Sequence, residues 1–307
     1  MSAGTELERA QFIKSACEEV GFFYVSHHGV DPSVIAEAYE QNALLFDLPM
    51  GDKMALLADS NSRGYTPFRE ETLDPAHQVH GDNKEGYYIG REVSASSPEA
   101  RKPLHGPNQW PCPKLLPNYR PAVTRYFEAV QTLGYQLLRL LSLSLGLPPD
   151  HFSAVFDKPL VMLRPLHYSA AISKPSEGIF GAGAHSDYGM LTILSTDSVP
   201  GLEIQLGGSW TAVEPIPDTF IVNLGDLLER WTNGLYRSTR HRVVNTSGKE
   251  RYSLAFFFEP NFDTVVECLP QCTGPGHPVR FPPTTSGQHI LDKYAETHAG
   301  YTGPITA

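Results

Sequence analysis

The sequence predicts a mainly β protein with helices, in which a helical N-terminal region wraps an all-β core. Three observations predict it. Apolar residues recur at three- and four-residue steps in the first half of the chain, short apolar segments succeed one another in the second half, and turn residues punctuate those segments. Leu7, Ala10, Phe12 or Ile13 and Cys17 set a helical period over residues 5–19, and Val20-Gly21-Phe22-Phe23-Tyr24-Val25 then reads as a buried strand. Asp31-Pro32 supplies an N-cap and a proline at the first helical position, where the missing N–H has no partner to lose. The helix it opens runs through Val34, Ala38, Ala43, Leu44 and Phe46 and stops before Pro49. Residues 59–116 are rich in Gly, Pro, Ser and Asn and are expected to form long ordered loops.

Val123, Phe127, Val130, Leu133, Leu137 and Leu140-Leu141 make Tyr119 to Leu145 a long helix, ended by Gly146-Leu147-Pro148-Pro149. Strands are expected at Val161–Tyr168, Leu191–Leu194, Leu202–Leu206, Phe220–Leu224, His241–Val244 and Tyr252–Phe258. Many short strands at a spacing of roughly 8–12 residues make a sandwich or barrel. A last helix, Ser286 to His298, closes the chain, and no repeat, low-complexity tract or charge block interrupts it. The expected division is an N-terminal helical and loop region, residues 1–155, and a β core, residues 156–307.

Composition narrows the function. Runs such as Ala255-Phe256-Phe257-Phe258 fall far short of the roughly 18 apolar residues a membrane helix needs, so no membrane partner is expected. With 34 acidic against 24 basic side chains the net charge is −10, a field that repels phosphate backbones, and nucleic acid is not expected as a partner either. Glu6, Glu8, Arg9 and Lys14 break up any leader-like apolar run at the N-terminus. Cys17, Cys112, Cys268 and Cys272 are scattered, form no C-x-x-C and are read as packing residues of a reducing compartment. This places the protein in the cytosol, leaving the nucleus open, as an expected monomer.

The chemistry concentrates in His185-Ser186-Asp187, at the edge of Gly181-Ala182-Gly183-Ala184. Strand alternation puts His185 and Asp187 on one face and Ser186 on the other, so two ligands converge. Neutral imidazole plus one carboxylate oxygen suits Fe(II), and a third imidazole completes a facial triad that leaves the opposite coordination face open; His241 is the candidate. Alone, such a tripeptide recurs by chance. Ten residues past His241, however, Arg251-Tyr252-Ser253 offers a planar guanidinium and a hydroxyl on one strand face, a carboxylate clamp, although a surface ion pair would use the same residues.

With these residues the sequence resembles the Fe(II)- and 2-oxoglutarate-dependent dioxygenases of the isopenicillin N synthase-like group. Their pattern is H-x-D, about 50 residues, H, about 10 residues, then R-x-S. The resemblance covers nearly the whole chain. It is carried also by Val222-Asn223-Leu224-Gly225-Asp226-Leu227-Leu228, Trp231-Thr232-Asn233-Gly234, Glu259-Pro260-Asn261, Gly21-Phe22-Phe23-Tyr24-Val25 with His28-Gly29-Val30, and Phe46-Asp47-Leu48-Pro49. It implies a double-stranded β-helix, or jelly roll, with Fe(II) held by His185, Asp187 and His241 and the distal carboxylate of 2-oxoglutarate held by Arg251 and Ser253. Tyr168 aligns with a tyrosine that contacts the cosubstrate in many members, although the usual tyrosine-proline pair here reads Tyr168-Ser169. A short strand that many members carry before the first helix is also missing.

The implied reaction oxidises, most often hydroxylates, a small-molecule substrate as O2 is consumed and 2-oxoglutarate is split to succinate and CO2, with ascorbate supporting activity. Two alternatives share the fold: an iron oxidase that needs no 2-oxoglutarate, and an ethylene-forming activity. A third is a jelly-roll protein that binds metal or a small acid without turnover.

His27-His28 cannot chelate together and reads as a loop pair; His77 and His80 lie in a polar loop, and Asp226 reads as a structural cap. Lys84-Glu85-Gly86-Tyr87-Tyr88-Ile89-Gly90-Arg91-Glu92 is a charged, aromatic segment expected at the active-site mouth. Strand parity extends the pocket: if Arg251 and Ser253 face it, so do Ala255 and Phe257, and if Tyr168 does, so do Leu166 and Arg164. An inward Arg164 must meet either an internal carboxylate or a substrate acceptor. The second option predicts a small planar or aromatic substrate stacked near Phe257 and Tyr188 and hydrogen-bonded to Arg164.

Overall fold

The computed structural model describes residues 5–297. Helix α1, Glu6–Glu19, starts from a capping box in which the Thr5 hydroxyl accepts from the Glu8 amide and the Glu8 carboxylate accepts from the Thr5 amide. Strand β1, Phe22–Ser26, follows, then helix α2, Pro32–Phe46, capped by Asp31 as its sequence requires, and a short helix α3, Met50–Met54. The region expected as loops holds two strands, β2 (Gly64–Thr66) and β3 (Lys84–Gly90). β3 is buried from end to end. Its Lys84 and Glu85 hide a strand from any pattern reading, because their charges are neutralised by residues distant in sequence: Glu85 meets Lys53 at 2.8 Å, and Lys84 meets Glu71 at 2.8 Å.

The long helix α4 spans Tyr119–Ser144 and β4 spans Pro159–Tyr168. Beyond them come β5 (Ala182–His185), β6 (Leu191–Thr196), β7 (Leu202–Leu206), β8 (Ser209–Ala212) and β9 (Thr219–Leu224), of which β5 and β8 had no apolar signature. Helix α5, Asp226–Trp231, then leads to β10 (His241–Val243) and β11 (Arg251–Asn261). A small hairpin of β12 (Val265–Val266) and β13 (Thr284–Thr285) and helix α6, Ser286–Thr297, complete the described residues; His298, the expected end of that helix, lies outside them. Among the described residues no strand precedes α1, and no helix is long and apolar enough to cross a membrane.

Seven strands form one sheet in the order β1-β9-β6-β11-β4-β3-β2, and four form a second, β5-β10-β7-β8. Three strands of the first 90 residues thus pair into the same sheet as β4, β6, β9 and β11. Side-chain parity on β11 separates two layers. Leu254, Phe256 and Phe258 join Leu163 of β4, Ile193 of β6 and the inner face of α4 in the main core. Arg251, Ser253, Ala255 and Phe257 point the other way, into a cavity between the two sheets. Beside that cavity the sheets pack directly, Phe22 and Ile221 against Leu202 and Ile204, with Phe22 and Leu202 also lining it.

Two sequence readings are corrected here. Asp226 does not cap a turn: it is the first residue of α5, after Gly225 at the N-cap, and its carboxylate pairs with Lys293 at 2.9 Å. Of the cysteines read as packing residues, Cys17 is fully buried, but Cys112 is exposed.

Candidate active site

Antiparallel pairing of β10 with β5 sets His241 directly opposite His185, with ring centroids 4.3 Å apart. β5 ends at His185, so Asp187 lies past the strand, where the chain turns toward β6, and still reaches the same point. Its Oδ1 is 3.8 Å from His185 Nε2 and 3.6 Å from His241 Nε2. One ligand atom from each residue lies within 4.8 Å of the others, and this is the one such cluster of His, Cys, Asp or Glu among the described residues.

Every back side is already satisfied. His185 Nδ1–H donates to the Gly183 carbonyl at 2.8 Å and His241 Nδ1–H to the Thr239 carbonyl at 3.1 Å, which leaves both Nε2 lone pairs inward. Asp187 Oδ2 accepts from Thr192 Oγ1 at 2.5 Å and Asn223 Nδ2 at 2.6 Å, so Oδ1 is the oxygen free to bind. Burial, with His241 close by, pushes His185 down to about 4, so it is a neutral donor near pH 7. Burial also opposes the charge on Asp187, but the two imidazoles and the Thr192 and Asn223 donors outweigh it and hold the carboxyl below its ordinary range. Two imidazoles and a carboxylate, pre-aimed at one point, fit a divalent iron ion.

Farther along the same face, Arg251 is 2% exposed. Its Nε donates to the Val199 carbonyl at 3.2 Å, its guanidinium lies 5.0 Å from the centre of the Tyr168 ring, and its buried Nη1 has no hydrogen-bond partner. Ser253 and Tyr168 line the cavity beside it. An orphaned guanidinium nitrogen in a cavity wall is suited to an anion, and a carboxylate of 2-oxoglutarate fits it.

Arg164, Tyr188 and Phe257 all line the cavity, as parity requires. Arg164 has an internal partner: its Nη1 spans both Glu71 oxygens, at 3.0 and 3.3 Å, and its guanidinium stacks 4.3 Å from the Tyr88 ring, while its buried Nε has no hydrogen-bond partner among the described residues. The internal ion pair is therefore the arrangement present, and Glu71 outweighs burial in keeping Arg164 charged. Lys84 and Tyr88 reach the cavity from β3, whereas Glu85 turns to the opposite face, where Lys53, Tyr65 and His167 bind it. His28 sits against Phe220 and accepts from the Val30 amide, far from any ligand role.

Sequence reasoning missed Thr192, Asn223 and Glu259 as site residues. The signal was present in each case, one polar residue breaking an apolar run at the parity of the known site face. Glu259 is buried on the cavity wall and accepts from the Met190 amide. Gly189 makes room for it, because a Cβ there would fall on the carboxylate. Burial, with Asp187 adding to it, pushes Glu259 up to about 8. The fold thus favours the protonated acid. That contribution is complete below the ordinary value of 4.5 and is lost as pH rises through 8. Metal-free protein is expected to lose on the order of a few kcal/mol between pH 5 and 8 through this group, and Glu259→Gln to flatten that slope in thermal unfolding. An unchanged slope would remove this account of Glu259.

Known families match two stretches of the chain. Residues 2–113 match the family model described as non-haem dioxygenase in morphine synthesis N-terminal, and residues 160–260 match that of the 2OG-Fe(II) oxygenase superfamily. The chain is 34% identical over 304 residues to azadirone synthase LFS of Melia azedarach, covering 96% of this chain and 91% of that protein. It is 33% identical to homoarginine-6-hydroxylase of Oryza sativa subsp. japonica, covering 94% and 88%. Among solved structures, a full-length Neurospora crassa protein in complex with alpha-KG and thymine superposes with a TM-score of 0.83 at 28% identity, covering 95% of this chain and 92% of that one.

Proposed function

Because this chain belongs to the 2OG-Fe(II) oxygenase superfamily, we propose that it hydroxylates a small organic substrate between its two sheets, releasing succinate and CO2. It is an oxidoreductase that uses Fe(II) and 2-oxoglutarate. The observation that carries the reading is the pairing of an inward-aimed His185, Asp187 and His241 with a buried, partnerless Arg251 nitrogen on the same cavity wall. Iron(II), when bound, supplies the centre at which oxygen is activated as 2-oxoglutarate loses CO2. The protein's residues do the rest. Arg251, Ser253 and Tyr168 anchor the cosubstrate carboxylate; Thr192 and Asn223 keep Asp187 aimed; Phe257, Tyr188 and Met162 form an apolar wall that excludes water and seats the substrate.

A relative named for homoarginine hydroxylation and a structure holding thymine support a small-molecule substrate here. Glu71 already neutralises Arg164, so shape and apolar contact at Phe257 and Tyr188 select that substrate, with the buried Arg164 Nε left to meet an acceptor group where the substrate carries one. The division at residue 155 is proposed as one of roles, the first part supplying the cavity's outer wall and the second its ligands.

The test incubates purified protein with Fe(II), ascorbate, 2-oxoglutarate and a metabolite extract, and follows oxygen, succinate and mass gains of one oxygen atom. One succinate per O2 with an oxygenated product is expected. Oxygen uptake without succinate would replace the reading by a 2-oxoglutarate-independent oxidase, ethylene by cosubstrate fragmentation, and no iron-dependent decarboxylation by a binding protein.

A further inference from the structure

β5 carries His185 but lies at the edge of its sheet, with β10 as its one neighbour. Even that pairing is irregular, since the register shifts between His241 and Val243. An edge strand has a row of backbone groups that the ladder does not hold, and a ligand borne on such a strand needs support from elsewhere. The support comes from the segment just before β3. The Asn83 amide donates to the Phe180 carbonyl at 3.1 Å, and Asp82 Oδ1 accepts from the Gly183 amide, on the open edge of β5, at 2.9 Å. The carbonyl of the same Gly183 receives the Nδ1–H of His185 at 2.8 Å. One glycine therefore joins the Asp82 carboxylate to the orientation of a ligand imidazole. A side chain at Gly183 would run into Gln78, so the approach of the two segments depends on that glycine.

Asp82 is itself rigidly placed. It is 1% exposed; Oδ1 also accepts from Gln78 Nε2 at 2.8 Å, and Oδ2 meets the Lys84 ammonium. Lys84 bridges on to Glu71 at 2.8 Å, and Glu71 holds Arg164 at 3.0 Å. The charges of Asp82, Lys84, Glu71 and Arg164 cancel, which is what allows all four to be buried. The lysine that opens the charged, aromatic segment noted in the sequence thus belongs to a strut between the cavity wall and the metal-ligand strand.

We propose that Asp82 is a positioning residue for His185: it pins the open edge of β5 at Gly183 and so aims the imidazole, while Lys84 holds the Asp82 carboxylate in place. This rests on the assignment of His185, Asp187 and His241 as the iron site.

The experiment titrates Fe(II) anaerobically into wild type, Asp82→Ala, Asp82→Asn, Asp82→Glu and Glu85→Gln, and records thermal unfolding of each metal-free protein. Outer-shell partners of a metal ligand are typically worth 10–100-fold in metal affinity. Asp82→Ala is expected to fall by that factor. Asp82→Asn, which keeps an oxygen for the Gly183 amide but loses the charge that Lys84 holds, should fall between wild type and Asp82→Ala. Asp82→Glu keeps the charge for Lys84 but displaces the oxygen by a methylene, and is expected to weaken binding even if Asp82→Ala does not fold. Glu85→Gln breaks the neighbouring buried ion pair on the opposite face of β3, and should lower the unfolding temperature without moving the metal affinity. Wild-type affinity in folded Asp82→Ala or Asp82→Glu overturns the proposal, as does an Asp82→Asn protein as weak as Asp82→Ala. Wild-type protein that binds no Fe(II) overturns the iron-site assignment beneath it.

Discussion

Asp187→Ala is expected to abolish succinate formation and to weaken Fe(II) binding by more than about 100-fold, the upper range for losing a ligand's supporting partner rather than a ligand. The reason lies in how Asp187 is held. Its Oδ2 is consumed by Thr192 and Asn223, at 2.5 and 2.6 Å, and its Oδ1 is the single anionic donor within reach of both imidazoles. Alanine removes that donor and leaves two imidazoles with no anionic oxygen, which bind a divalent cation poorly. The fold survives. Stranding the Thr192 hydroxyl and Asn223 amide costs about 1–3 kcal/mol, and the cavity is otherwise relieved of a buried negative charge next to Glu259. The core between α4 and the large sheet, with Leu254, Phe256 and Phe258, does not touch the ligands. Circular dichroism of the metal-free variant should match wild type, with a modest fall in unfolding temperature from the stranded donors, while the Fe(II) titration and succinate assay collapse. Wild-type turnover by Asp187→Ala would end the iron-site assignment.

The parts of this architecture that could be read from sequence are those fixed by short-range periodicity. α1, α2, α4 and the strands β4, β6, β7, β9 and β11 follow from apolar spacing, because each buries one face on the layer beside it. β11 goes further, since its parity alone sends Phe256 and Phe258 to the helices and Arg251, Ser253 and Phe257 to the cavity. β3 was illegible for the opposite reason. Lys84 and Glu85 argue against a buried strand until Lys53, Glu71 and His167, all outside β3, are known to neutralise them together with the neighbouring Asp82. The same holds for Arg164: parity placed it inward, but only tertiary structure could decide between a substrate and Glu71 as its partner. His185 and Asp187 were joined by strand alternation, whereas the strand stops at His185 and the turn brings Asp187 round. The pairing was right, and the geometry behind it was different.

Arg251→Ala is expected to raise the 2-oxoglutarate concentration needed for half-maximal turnover by about 30- to several-thousand-fold. That is the equivalent of the roughly 2–5 kcal/mol lost when one partner of a buried, hydrogen-bonded charge pair is truncated. The setting of Arg251 justifies this range: it is almost fully enclosed, tied through Nε to the Val199 carbonyl, laid against the Tyr168 ring, and left with a buried Nη1 that nothing among the described residues satisfies. A carboxylate arriving there meets a guanidinium already fixed in orientation, so little rotamer freedom remains to be lost on binding. Arg251→Lys keeps the charge but cannot both reach the Val199 carbonyl and present two parallel donors, and should fall between alanine and wild type. Because the iron ligands are untouched, Fe(II) affinity in the absence of 2-oxoglutarate should stay at the wild-type value in both variants, which separates loss of the clamp from loss of the fold. An Arg251→Ala enzyme that saturates at the wild-type 2-oxoglutarate concentration would show that the cosubstrate carboxylate is held elsewhere in the cavity.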